Sequence, residues 1–180
     1  MTSYGNKINN FKKLDYLNIN RTLEIVKNIS LNKPSCIIMI GTLEHIYNSY
    51  EILSEIKKNK NIKYLYIMVP CFSPSTFIEL IFDKNFQRHM APQHTHVFTE
   101  KSIKYMTKNF KFKIISEWWF GTDILDLFRN FNLEINKKNK INDELFLLNN
   151  MFTKIIDNMQ LEIDKKKLSS EVHVVFRVNN

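Results

Sequence analysis

The chain has 180 residues, a formal net charge of +8 and 44% hydrophobic residues, with 14 phenylalanines. That length suits one domain burying roughly 70% of its unfolded surface, and the composition excludes a disordered chain. No apolar run is long enough to span a bilayer and "MTSYGNKINN" carries no apolar signal region, so a cytoplasmic protein without a membrane partner is expected. The basic charge raises nucleic acid as a partner. Yet the lysines are scattered and arginine, the better phosphate fork, is scarce. "NKKNK" (136–140) and "DKKKL" (164–168) therefore read as solvated helix ends, and nucleic acid is not the expected partner.

Residues 1–34 read as an N-terminal segment, polar and loosely held through 19, then helical over 20–30 with Leu23, Val26 and Ile29 at helical spacing. Residues 35–180 read as one α/β domain. "SCIIMIG" (35–41) is a continuous apolar run closed by Gly41 and predicts a strand buried on both faces. "TLEHIYNSYEILSEIKKN" predicts a helix with Leu43, Ile46, Tyr50, Leu53 and Ile56 on one face and Lys57 and Lys58 at the negative end of its dipole. "KYLYIMV" (63–69) is a second buried strand stopped by Pro70, which makes a parallel βαβ unit with a right-handed crossover. Cys36 and Cys71, both in apolar runs, read as reduced core thiols.

Ser73 as cap and Pro74 at the first helical position open a helix over 73–82. Thr99 caps "EKSIKYMTKNF", with Ile103, Met106 and Phe110 inward. A strand (111–120), an amphipathic helix (122–131) and one long helix (142–167) follow, the last with Leu145, Leu148, Phe152, Ile155 and Met159 on one side. "EVHVVFRV" (171–178) alternates strictly, which predicts an antiparallel strand with Val172, Val174, Phe176 and Val178 inward and His173 on a wetter face.

"HMAPQHTHVFTE" (89–100) holds three of the five histidines. His94 and His96, two apart, point the same way in an extended segment, and His89 offers a third imidazole. No cysteine or carboxylate at ligand spacing completes the set beyond Asp83 and Glu100, so no metal is expected. An imidazole here suits removal of a proton from a hydroxyl. It equally suits shaping the turn before Phe98.

"CIIMIGTLEHIYNSYEIL", "YLYIMVP" and "HTHVFTEKSIKYMTKNFKFKIISEWWF", in that order, resemble the C-terminal half of a class I S-adenosylmethionine-dependent methyltransferase. The likeness is to the group acting on sugars and other small molecules, and it covers about residues 35–120 with a continuation to 178. It implies a partial Rossmann-like methyltransferase sheet: parallel strands, then an antiparallel C-terminal strand, with flanking helices. It implies S-adenosylmethionine as cofactor and a small-molecule acceptor. It places Gly41, Thr42 and Glu44 beside the cofactor, makes His94, His96 and His45 candidates to remove the acceptor proton, and brings Trp118, Trp119 and Asp123 to the acceptor, with Asp126 nearby.

Plainer readings stand beside these. Glu44 and His45 could simply open a helix, and Asp123 could be a first-turn acid. Adjacent strand residues face opposite sides, so one of the two tryptophans belongs in the core. The departure from the family is large. It holds its cofactor with a glycine-rich turn after the first strand and an acidic residue ending the second. Upstream of Ser35 the only glycine is Gly5. The expectation is an incomplete cofactor pocket and weak or no cofactor binding by the chain alone. Either a homo-oligomer or a partner supplying the missing strands would cover the edge of strand 35–41. The alternative is a non-catalytic remnant or interaction module of the same fold.

Overall fold

Four strands form one sheet in the order β1 (Cys36–Ile40), β2 (Tyr64–Pro70), β4 (Glu171–Arg177), β3 (Lys113–Phe120) in a computed structural model of the chain. The structure describes residues 22–31, 34–82, 88–137 and 142–178, excepting the side chains of 22, 23 and 142–145. The polar segment 1–19, Asp83 and the orientations of Leu23 and Leu145 lie outside what is described. β1 and β2 are parallel, with Cys36 opposite Tyr64 and Ile40 opposite Met68. β4 lies antiparallel between β2 and β3. This is the expected mixed α/β sheet flanked by helices, with its antiparallel C-terminal strand.

The period-2 pattern decides which face is buried. Leu65, Ile67, Val69, Val172, Val174 and Phe176 are fully buried on one side of β2 and β4. They share one core with Ile25 and Ile29 of α1 (Thr22–Leu31), Ile52 and Ile56 of α2 (Ser49–Lys58), and Ile103, Met106 and Phe110 of α4 (Glu100–Phe110). Each such aliphatic side chain contributes about 1.5–3 kcal/mol by leaving water. A second group forms beside the sheet. α3 (Pro74–Ile81) packs on α5 (Asp123–Lys137), which meets α6 (Asn142–Phe152) and α7 (Ile156–Lys165), and α7 runs along β3. No described helix is long and apolar enough to cross a membrane.

Two caps form as read. Ser73 Oγ accepts from Ser75 N while Thr76 Oγ1 accepts from Ser73 N, and Thr99 and Ser102 exchange the equivalent bonds. Three expectations need correction. Strand 35–41 is not buried on both faces: among the described residues β1 is the sheet's edge, with Ile38 65% and Ile40 56% exposed. Cys36, on that same open side, is exposed and is not a core thiol, whereas Cys71 is buried and its thiol is pushed up to about 12, chiefly by burial. The single helix read over 142–167 is two, broken at 153–155, where Thr153 Oγ1 donates to the carbonyls of Asn149 and Asn150. A hydroxyl that bonds the preceding turn competes with helix continuation.

A further correction bears on the site. The helix read from Thr42 onward does not start there. Leu43–His45 make one 3-10 turn, Ile46 is extended, and α2 begins at Ser49 after Asn48. The break has a cause outside the segment. The Glu44 carbonyl, which a helix would direct to its own next turn, accepts from Thr95 N at 2.8 Å, His96 N at 3.2 Å and Thr95 Oγ1 at 2.9 Å.

Candidate functional site

β1 ends at Gly41, whose φ of +56° lies in the left-handed region. A side chain there costs roughly 1–2 kcal/mol, so glycine suits the turn. The turn aims Glu44 and His45 at the carboxyl ends of β1 and β2, where open α/β sheets bind ligands. The three donors on the Glu44 carbonyl dock the histidine loop against the same turn.

The loop is held from its other end by a buried pair. Glu79 of α3 accepts from His89 N, Met90 N and His89 Nδ1, the last at 2.7 Å. His89 Nε2 lies 3.1 Å from the Ser170 carbonyl oxygen. Both ring nitrogens thus face oxygen acceptors, and the ring is tied to α3 on one side and to the entry of β4 on the other. Burial works to raise the Glu79 carboxyl, but the hydrogen bonds from Met90 and His89 outweigh it and hold it below the usual range. His89 is therefore a clamp on the loop and not one of a histidine trio.

With the loop docked, Glu44, His45 and His94 bring one carboxylate oxygen and two ring nitrogens within 4.8 Å of one another. The His45 and His94 rings meet edge-on with centroids 4.7 Å apart. Glu44 is 3% exposed, and its Oε2 has no hydrogen-bond partner. Burial pushes its carboxyl above the usual range, Glu171 adds to that, and His45 and His94 oppose it. Glu44 and His94 line a cleft of about 170 Å³ together with Met68, Pro70, Arg88, Ser170 and Glu171, and His45 meets both of them beside it. A carboxylate and two imidazoles there can accept protons from a bound hydroxyl or ligate a cation.

The other sequence-derived residues fall elsewhere. His96 turns away, its Nδ1 2.8 Å from Thr95 Oγ1 and its ring against Phe98. It borders a larger, mostly apolar cleft of about 390 Å³ between α2 and α4, where Tyr50, Tyr105 and Met106 also stand. Its ionisable lining residues, Tyr50, His96, Lys101 and Tyr105, include no carboxylate, whereas the smaller cleft sets Glu44 and Glu171 beside His94, so the smaller one is the better candidate for chemistry. Asp123 is sealed from the cleft with no exposure. Its carboxylate accepts from Ser75 N and Oγ, Ser170 N and Gln160 Nε2. Asp126 pairs with Arg88, which also donates to Thr122.

Trp119 is buried, while Trp118 is 61% exposed. Thr42 Oγ1 donates back to the Ile40 carbonyl and Gly41 N donates to the Met68 carbonyl, so this turn directs both donors inward.

Sequence reasoning missed a second polar line beside the cleft. Tyr66 OH bonds His173 Nδ1, and His173 Nε2 lies 2.9 Å from Glu171 Oε1. Trp118 and Phe120 stack with centroids 4.3 Å apart, both against His173. The strict alternation of β4 was the available signal, since it puts Glu171 and His173 on one face. The register with β2 and β3, which brings Tyr66 and Trp118 to them, is not visible in a single strand.

No protein-family model matches the chain, and no curated protein matches it in sequence. Among solved structures, the chain is similar to the crystal structure of a SAM dependent methyltransferase from Archaeoglobus fulgidus, at 13% identity and a TM-score of 0.45. The likeness covers 85% of this chain and 64% of that one, so the chain spans just under two thirds of the other protein's length.

Proposed function

We propose that the chain is the acceptor-side part of a methyltransferase-like domain, directing S-adenosylmethionine-dependent methyl transfer to a small-molecule acceptor, a sugar among the candidates. One observation carries the reading: the "GTLEH" turn and the "HTH" loop, which carry the family resemblance in sequence, dock on each other and converge Glu44, His45 and His94 on a cleft at the carboxyl ends of parallel strands. An acceptor hydroxyl lying in that cleft would lose its proton to an imidazole Nε2 of His45 or His94. Glu44 would stabilise the resulting imidazolium, and Trp118 and Phe120 offer an aromatic wall beside the acceptor.

S-adenosylmethionine, when bound, supplies the electrophilic methyl group. The described residues do not fit its grip well. The Gly41–Thr42 turn directs its donors inward, and among the described residues no strand with a glycine-rich turn precedes β1.

The test is transfer of a labelled methyl group from millimolar S-adenosylmethionine to a panel of hydroxylated small molecules, sugars included. The reading expects transfer that falls at least tenfold in His45→Ala and His94→Ala. A folded chain giving no transfer at a cofactor concentration that calorimetry shows to occupy it would overturn it. Separately, calorimetric titration of the chain alone should show weak or no cofactor binding. A micromolar dissociation constant would mean that the grip is complete after all.

A second reading is an interaction module of the same fold, which receives another chain along β1. The exposed edge and the outward Ile38 and Ile40 favour it.

A further inference from the structure

We propose that Glu44, His45 and His94 form a binding site for one divalent first-row transition-metal ion of the zinc, cobalt and manganese class. The sequence argument against a metal rested on the histidine loop lacking a carboxylate at ligand spacing. The fold supplies one from a different element, together with a second imidazole.

Three independent features of the cluster are those of a ligand set. The first is convergence: one ligand atom from each residue lies within 4.8 Å of the others. Modest side-chain rotation brings such a triangle to bonding distances of about 2.0–2.2 Å. The second is ring orientation. His45 Nδ1 lies 3.0 Å from the Gln93 carbonyl oxygen and His94 Nδ1 lies 3.1 Å from the His89 carbonyl oxygen. A carbonyl only accepts, so each Nδ1 carries a proton, which leaves Nε2 as the ring nitrogen able to offer a lone pair. Metal-bound histidines are fixed in this way, with the outer ring nitrogen donating to backbone oxygen. The third is the carboxylate. Glu44 Oε2 is buried without a partner, although a buried carboxylate oxygen ordinarily has one. Its other oxygen, Oε1, lies 3.8 Å from His45 Nε2, and an ion held between this carboxylate and the two imidazoles would give the buried group a cationic partner.

The donor set indicates the kind of ion and site. Two imidazoles with one carboxylate suit zinc, cobalt, manganese or iron over the oxygen-loving calcium and magnesium. Three protein ligands beside an open cleft leave a position for water or a substrate oxygen, the pattern of a catalytic rather than a structural site. Glu171 on the cleft wall adds negative charge, and Arg88, the cation on that wall, is paired with Asp126. The inference stands without the methyl-transfer reading, because ion uptake requires neither cofactor nor acceptor; with an ion bound, both Nε2 lone pairs would be engaged and an acceptor proton would pass to a metal-bound hydroxide instead.

The full chain, stripped with chelator, should be titrated by calorimetry with zinc and manganese, and with cobalt followed by its visible absorption. One ion per chain is expected, with affinity at least tenfold weaker in His45→Ala and in His94→Ala. His96→Ala should bind as the parent does, since its ring lies against Thr95 and Phe98. Thermal melts of the metal-free variants establish that they fold. Should they not, the parent protein alone decides the matter. Bound zinc should shield His45 and His94, and not His96, from diethyl pyrocarbonate, read by peptide mass spectrometry. Absence of saturable uptake, uptake undiminished in both folded variants, or modification of His45 and His94 unchanged by zinc would each overturn the proposal. Because every measurement omits S-adenosylmethionine, a failure here leaves the methyl-transfer test untouched, and the reverse also holds.

Discussion

Asp123 joins three elements through one carboxylate: Ser75 in α3, Ser170 leading into β4, and Gln160 in α7. Burial acts to raise its pKa, but the hydrogen bonds from Ser73, Ser75 and Ser170 outweigh it and hold the carboxyl below the usual range. A depressed folded value means that ionised Asp123 stabilises the native state. That stabilisation is complete above the unfolded value of about 3.9 and is lost as pH falls through the folded one. Asp123→Ala should therefore cost about 3 kcal/mol at pH 7, since it strands several buried donors. The gap from the parent should shrink near pH 3. Urea denaturation of both proteins at the two pH values checks this, and an equal gap at both would refute the assignment. From sequence alone, Asp123 carried two readings, acceptor contact and first-turn acid. It is neither of these alone, because Ser75 and Ser170 lie 48 and 47 residues away and their approach is tertiary.

At the scale of elements, local chemistry was legible wherever it was local. Ser73 and Thr99 as caps, Pro74 at the first helical position, and the inward rows of α4 and β4 all follow from spacing within one element. Apart from the break at 153–155, the misread elements were those settled by a neighbour: the 3-10 turn at Leu43–His45, held open by Thr95 and His96, and β1, apolar throughout yet at an edge among the described residues. The same lesson applies to Gly121, between β3 and α5. A Cβ there would collide with Ser170 Oγ, lie 2.6 Å from Asp123 Oδ2 and lie 2.9 Å from the Ser170 backbone nitrogen. The glycine lets the β3–α5 connection cross directly beneath the entry to β4. Since backbone must shift to admit even a methyl group, Gly121→Ala should destabilise by about 1–3 kcal/mol. Thermal denaturation measures it, and a melting temperature equal to the parent's would mean that the junction yields freely.

At the scale of the whole molecule, the open question is what lies along β1. Among the described residues, β1 pairs with β2 and with no other strand, so its outer row of amide and carbonyl groups has no ladder partner. Proteins ordinarily blunt such an edge with lysine, proline, a bulge or a covering element. "CIIMI" has no charge and no proline, and it presents Ile38 and Ile40 outward, continuing the open face that carries Tyr64 and Trp118. An unblunted apolar edge recruits another chain. The reading that follows is self-association, or capture of a partner strand, at β1. Sedimentation of the purified chain at micromolar concentration should show a dimer or larger species, and Ile38→Lys should shift it toward monomer by placing a charge on the pairing surface. The substitution should leave the fold intact, because Ile38 faces away from the core. A parent protein that sediments as one monodisperse monomer, with a cooperative thermal transition, would mean that the edge is closed within the chain itself, and the interaction-module reading would then lose the observation that favours it.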